Sequence, residues 1–230
     1  MPIPISPSEA PETAALHGSE SDFPSRKSAT DSWAFRHRGL LGGVCLIPAA
    51  LAAILWPSVI PEASPIAWLL DVLGWTLFLG YASMRIWATL YIGGVKDVRL
   101  QTSGPYSITR NPLYLGGLCL ALSGACFLKS VFVIALTFIA AGIYLRWVIP
   151  AEEKVLERIF GQAFVEYKSR TPRLLPRPSL YQSAPTIELK VRALRTEAQR
   201  LWTASLVPFL GLHAAQIHDA LAHFHWLHLH

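Results

Sequence analysis

The sequence predicts an all-α fold: a polytopic helical membrane protein of about four to five transmembrane helices, including a helical hairpin, with a cytosolic cofactor site. Three observations carry that expectation. Of the 230 residues, 52% are hydrophobic and only 15% charged, whereas a soluble domain carries roughly a quarter charged residues. The apolar residues come in long blocks rather than in short alternating runs, the pattern of membrane helices. The basic residues flank those blocks, which is how a membrane protein fixes its orientation. That placement also accounts for the net charge of +5 without a nucleic-acid partner, since no aromatic-plus-basic recognition surface accompanies it.

Residues 1–32 are rich in Pro, Ser, Glu and Ala and are expected to form a disordered cytosolic tail. They lack the apolar core of a secretory signal. A membrane core is expected over 33–178 and a basic C-terminal segment over 179–230. The first apolar block runs from Gly39 to Pro61, about long enough to cross a bilayer. Arg26, Lys27, Arg36 and Arg38 precede it and only Glu62 follows, which places the N-terminus in the cytoplasm. The second block, Pro65 to Gly94, is followed by Lys96, Arg99 and Arg110 and returns the chain to the cytosolic side. Trp68, Trp87 and Tyr91 suit the two interfaces.

A third apolar region, Leu113 to Ile149, is interrupted by Leu128-Lys129-Ser130. Neither half is generous for a full span, so a hairpin with Lys129 near its tip and both ends cytosolic is expected. A polar helix should follow over 151–170, stopped by Thr171-Pro172. The tail resumes as a basic helix leading into an apolar, histidine-rich piece, either a fifth span or an interfacial amphipathic helix, with a span slightly favoured.

Cys45, Cys119 and Cys126 lie in apolar segments without a CxxC or a nearby histidine at ligand spacing, and read as small packing residues. His213, His218, His223, His225, His228 and His230 crowd the C-terminus. Their spacing scatters them around a helix, whereas zinc needs about four convergent ligands. No metal site is therefore expected.

The segment "TSGPYSITRNPLYLGG", Thr102 to Gly117, concentrates turn chemistry at the entrance to the hairpin. Asn is a favoured helix N-cap and Pro is favoured at the first helical position, so Asn111-Pro112 reads as a helix start. Free N–H groups there suit an anion, and Arg110 adds a fixed charge. Tyr106 and Tyr114 supply aromatic faces for a flat base or a cation. At the other end of the hairpin, Glu152 and Glu153 follow Pro150. Adjacent carboxylates are poor lipid neighbours but good partners for an ammonium or for ribose hydroxyls. The two ends together suit a zwitterionic ligand such as S-adenosylmethionine.

These segments resemble the isoprenylcysteine carboxyl methyltransferase and phospholipid methyltransferase superfamily of integral membrane enzymes. "TSGPYSITRNPLYLGG" is similar to its Gly-x-Tyr, then Arg-His-Pro-x-Tyr, signature. "PAEEKVLERIFGQAFVEYKSRTPRLLP" is similar to its Glu-Glu, then Phe-Gly-x-x-[Tyr/Phe]-x-x-Tyr, then Pro-Arg signature. The resemblance covers about residues 65 to 178. It implies an S-adenosyl-L-methionine site lined by Leu100, Gln101, Tyr106, Asn111, Pro112, Leu113 and Tyr114 and closed by Glu152, with Glu153 nearby. It also implies a substrate side that includes Arg85, with Arg110 and Arg146 as further candidates. Arg85 reads equally as a helix-end arginine snorkelling to the interface.

Two positions depart from the pattern. Asn111 stands where the family has histidine; it can still cap and hydrogen-bond, but it cannot carry a proton. Val148 stands where the eukaryotic carboxyl methyltransferases place a substrate arginine, with Arg146 two residues earlier.

The expected activity is methyl transfer to a lipophilic small molecule or lipid, isoprenylcysteine carboxyl O-methyltransferase-like. A phospholipid N-methyltransferase and a catalytically inactive scaffold of the same fold are the alternatives. The expected partners are the lipophilic methyl acceptor and membrane lipids; no protein partner follows from the sequence. The expected location is the bacterial inner membrane.

Overall fold

A computed structural model describes residues 60–92, 99–187, 191–213 and 216. The N-terminal tail, nearly all of the first apolar block, Cys45 and the histidines after His213 lie outside the described residues. Every regular element among the described residues is helical.

α1 spans Pro65–Ile92, 28 residues, or roughly 42 Å at 1.5 Å per residue. Ser64 and Pro65 start it: the Ser64 hydroxyl accepts the Ala67 N–H at 3.1 Å, and Pro at the first helical position loses no needed donor. Its outer surface exposes Ile66, Trp68, Leu69, Trp75 and Leu79, the composition that lipid contact requires. α1 is one of two described stretches long and apolar enough to cross a membrane; the other is the helical run Val131–Phe160. The expected count of four to five spans includes segments outside the described residues.

A four-residue helix, α2 (Pro105–Ile108), precedes α3 (Pro112–Leu128), which packs along α1 more extensively than any other pair of the described elements. Small residues permit the close approach. Ser123 donates to the Gly74 carbonyl across the pair at 2.8 Å. A Cβ on Gly74 would meet the Phe127 ring at 2.9 Å, so only glycine fits there without a shift.

The hairpin expected from the sequence is present, with Lys129 at its tip in the left-handed region (φ 50°). Ser130 then caps α4 (Val131–Ile143), accepting the Val133 N–H. The Lys129 side chain is only 2% exposed and reaches back to Glu62 at 2.7 Å and Asp71 at 3.2 Å. This ties the tip to the start of α1.

α4 runs through a π-helical turn, Tyr144–Val148, into α5 (Ile149–Phe160). Pro150 explains the turn. It has no N–H, and its ring would clash with a carbonyl four residues back in regular α geometry. The extra residue of a π turn relieves both problems, and Ile149 donates five residues back to Tyr144.

The single polar helix expected over 151–170 is instead two, α5 and α6 (Gln162–Arg170). Gly161, at φ 54°, makes the break, a backbone conformation that costs glycine little. Thr171 ends α6 as expected. A short 3-10 turn, Pro178–Leu180, lies in the connection to α7 (Val191–Ala204) and α8 (Leu206–Leu212). α7 packs on α1, and α8 on α3. The helix of the tail breaks at Ser205, so the described part of the apolar tail is the seven-residue α8.

Candidate active site

The "GPYSITRNP" segment is laced onto the chain that leaves α6. Gly104 donates to Gln182 at 2.7 Å, Arg177 donates to Ile108 at 2.9 Å, and Arg110 N–H donates to Pro172 at 2.9 Å. The Thr109 hydroxyl donates to Leu174 at 3.0 Å. The Tyr167 hydroxyl donates to the Tyr106 carbonyl at 2.7 Å. Gly104 sits at φ 63°, and a Cβ there would drive into the Tyr91 ring. Proline then starts α2 with φ already set. Backbone bonds, rather than side-chain packing alone, thus fix the loop between α1 and α3.

Arg110 and Glu153 close the two ends of the hairpin. Arg110 Nε donates to Glu153 Oε1 at 3.0 Å, and its Nη2 lies 2.9 Å from the same oxygen. Nη1 donates to the carbonyls of Lys168 at 2.6 Å and Thr171 at 2.7 Å. The two side chains are 9% and 5% exposed, and Arg173 approaches Glu153 Oε2 at 3.3 Å. All three guanidinium nitrogens of Arg110 are therefore engaged by protein, and Glu153 has a cation on each oxygen. As arranged, they act as a latch rather than as free groups for a ligand.

Asn111 occupies the N-cap position of α3, but its side chain does not cap the helix. Its amide instead donates to the Arg173 carbonyl at 3.0 Å, while its own backbone carbonyl accepts from Tyr114 and Leu115. The expected side-chain cap is thus replaced by a tie to the post-α6 segment, because that carbonyl lies within reach. Tyr114 stacks obliquely with Tyr144 of the π turn at 5.6 Å. Glu152, one residue before the latch, is half-buried. Leu100 and Gln101 are partly buried, with Gln101 donating to Ser103 at 2.8 Å. Pro112 is fully buried. Leu113 packs against a cluster of Ala88, Tyr91 and Tyr106.

Tyr106 is 6% exposed, and its hydroxyl has no hydrogen-bond partner. Burial pushes the hydroxyl well above the usual tyrosine range, with Tyr167 reinforcing the shift. It therefore stays protonated and remains a donor at neutral pH. Leaving such a group unsatisfied costs about 1–3 kcal/mol. Arg85 and Glu197 are near enough to act on it electrostatically.

Those two residues form a second buried pair. Arg85 Nε donates to Glu197 Oε1 at 2.5 Å and Nη2 donates to Oε2 at 2.8 Å. Arg200 touches Oε2 at 3.3 Å from a largely exposed position. The Arg85 stem lies against Gly116 of α3, where a Cβ would sit 3.5 Å from it. Arg85 is thus held inside the protein rather than snorkelling freely. An apolar cleft of about 490 Å³ lies along the same pair of helices, lined by Trp75, Phe78, Trp202, Leu206 and Phe209 among others. Arg146, by contrast, is exposed on the π turn beside an exposed Trp147. It has no ion-pair partner among the described residues.

Glu197, Arg173 and Tyr167 were not singled out from the sequence as site residues. Tyr167 stood inside a quoted motif without an assigned role. Glu197 had a weak signal: it is the one acid of α7 among several arginines. No group of three or more potential metal ligands occurs among the described residues.

The family model described as "Phospholipid methyltransferase" matches residues 66–163. The cobalt-zinc-cadmium resistance protein CzcN of Cupriavidus metallidurans is 34% identical over 186 residues, 80% of this chain and 82% of that protein. The nickel-cobalt-cadmium resistance protein NccN of Alcaligenes xylosoxydans xylosoxydans is 34% identical over 129 residues, 56% of this chain and 57% of its own length. No solved structure matches. The matched segment contains α1, the hairpin and the Arg110–Glu153 latch. The chain belongs to the phospholipid methyltransferase family, whose members include the isoprenylcysteine carboxyl methyltransferase-like membrane enzymes.

Proposed function

We propose that this protein is a membrane-embedded methyltransferase that uses S-adenosyl-L-methionine and acts on a lipophilic small molecule or lipid. The observation that carries the reading is the buried, unpartnered hydroxyl of Tyr106, a residue of the first family motif. The residues present fit the cofactor. Tyr114 and Tyr144 offer aromatic faces to a cation, Glu152 offers a carboxylate to an ammonium or to ribose hydroxyls, and Tyr106 offers a donor. Leu100, Gln101, Asn111, Pro112 and Leu113 complete the set that would hold it.

The cofactor supplies an activated methyl group on a sulfonium. The protein's own contribution is to position and to exclude water. Arg110 and Glu153 fix the hairpin ends against each other, so Tyr106 and Glu152 keep their spacing. Tyr167 holds the Tyr106 backbone. The apolar cleft between α1, α7 and α8 would give a hydrocarbon-bearing acceptor a lateral route from the bilayer. The site and the N-terminus are on the cytosolic side of a bacterial inner membrane, a placement supported by the basic flanks of the blocks.

The names of the relatives tie those proteins to metal resistance. For this chain we take that as context, in which the methylated product serves a cell exposed to metal. Incubating membranes that contain the full chain with methyl-labelled cofactor tests the reading. Label appearing in a small lipophile supports it. Label in phospholipid headgroups assigns the N-methyltransferase alternative, and no chain-dependent label at all leaves the inactive scaffold.

A further inference from the structure

α7 and α8 run from the face that carries the two motifs toward the hairpin tip. Glu197, in the first half of α7, pairs with Arg85 in the last third of α1. At the other end, a Cβ on Gly211 of α8 would overlap Phe127, two residues before Lys129. One side of these helices is buried, with Glu197, Ala204, Pro208 and Gly211 facing the protein. The opposite side is exposed and changes character along its length. Arg192 and Arg195 come first, both exposed and without an ion-pair partner among the described residues. Trp202, 81% exposed, then Leu206 and Phe209 follow. Steps of three, seven, four and three residues keep all five on one stripe of a helix. Trp202, Leu206 and Phe209 also line the apolar cleft, together with Trp75 and Phe78 of α1.

We propose that this stripe binds an anionic glycerophospholipid of the leaflet at the motif face, its phosphate on Arg192 and Arg195 and one acyl chain in the cleft along Trp202, Leu206 and Phe209. The spacing fits such a ligand. Arg195 and Trp202 are seven residues apart, or roughly 10 Å along the helix. A headgroup layer is roughly 5–8 Å thick, so an arginine at phosphate level puts Trp202 at the edge of the hydrocarbon, where tryptophan is favoured. The charge fits as well. A guanidinium matches phosphate geometry, and two unneutralised arginines on one face favour a lipid with net negative charge over a zwitterionic one. Glu197, the one acid of α7, does not offset them, because it is buried on the opposite side with Arg85. This inference stands apart from the methyltransferase reading: the lipid is held at the surface, and an acceptor using the cleft would exchange with its chain.

The test places the full-length chain in phosphatidylcholine vesicles doped with a phosphatidylglycerol that carries a photoactivatable diazirine on one acyl chain. A phosphatidylcholine with the same diazirine is the matched control, and mass spectrometry maps the crosslinked residues. The phosphatidylglycerol probe is expected to label residues 202–213 at least fivefold more than the control does. The double variant R192Q/R195Q is expected to bring that label down to the control level. Labelling of Ile66 and Leu69 on the outer surface of α1 should not change, which reports that the variant is folded and inserted. Equal labelling of 202–213 by the two probes overturns the proposal. So does phosphatidylglycerol labelling that survives the double variant. Absence of label from 202–213 with either probe also overturns it, and shows the cleft covered by protein, whether a second copy or another segment of this chain.

Discussion

Arg110 Nε donates to Glu153 Oε1 at 3.0 Å, joining the residue before the hairpin to a residue after it, 43 positions along the chain. Both side chains are buried, so each is the condition for burying the other. Glu153→Ala would leave Arg110 uncompensated and should lower stability by about 3–5 kcal/mol. A denaturation midpoint in detergent checks this. A change below about 1 kcal/mol would mean that the pair is screened by water, as exposed pairs are.

Tyr167→Phe removes one hydrogen bond and leaves the buried Tyr106 carbonyl unpaired. The expected loss is about 1–3 kcal/mol of stability, with weaker cofactor binding because the Tyr106 backbone loses its tether. Parallel unfolding and cofactor-binding measurements separate the two effects. Loss of stability with unchanged binding would show that the loop is held well enough by its backbone bonds.

Gly104→Ala meets two obstacles at once, a φ of 63° and the Tyr91 ring. The conformational part alone costs about 1–3 kcal/mol, because φ 63° with ψ −131° is a region used almost only by glycine, and the collision adds to it. Reduced yield of folded protein is expected, rescued in part by adding Tyr91→Ala. Without any rescue, the Tyr91 contact is not the cause.

Asn111 donates to the Arg173 carbonyl, so its side chain serves the connection rather than the helix end. Asn111→Ala should weaken cofactor binding by about fivefold, the equivalent of one hydrogen bond of roughly 1 kcal/mol. Asn111→His, which restores the family residue, should retain binding. If histidine raises turnover sharply at unchanged affinity, the position has a role in proton transfer that asparagine forfeits.

Much of this site was legible in the sequence, and the exceptions have physical reasons. Leu128-Lys129-Ser130 marked the hairpin tip correctly, because a charge and a cap interrupting an apolar run have few other uses. The motifs on either side put Glu152 and Glu153 at the face where Asn111 and Tyr114 begin, and Arg110 and Glu153 meet across the hairpin ends. Sequence alone could not show that Arg110 and Glu153 are consumed by each other: charge is visible in a sequence, but neutralisation depends on distance. Asn111 read as a cap because the competing carbonyl of Arg173 is remote in the chain. The break at Gly161 was obscured by helix formers on both sides. The π turn was hidden because Pro150 usually signals a helix start. Glu197 was missed because a lone acid on a basic amphipathic helix ordinarily faces solvent.

On the proposed function, the two motifs form one cofactor cradle, with Glu152 beside the latch as the carboxylate that meets the ligand. Equilibrium binding of labelled S-adenosyl-L-methionine to the full-length protein and to Glu152→Ala tests it most directly. Saturable binding by the wild type and at least a tenfold loss in the variant are expected, with a gel-filtration profile of each protein reporting on folding. Equal binding by both proteins would contradict it.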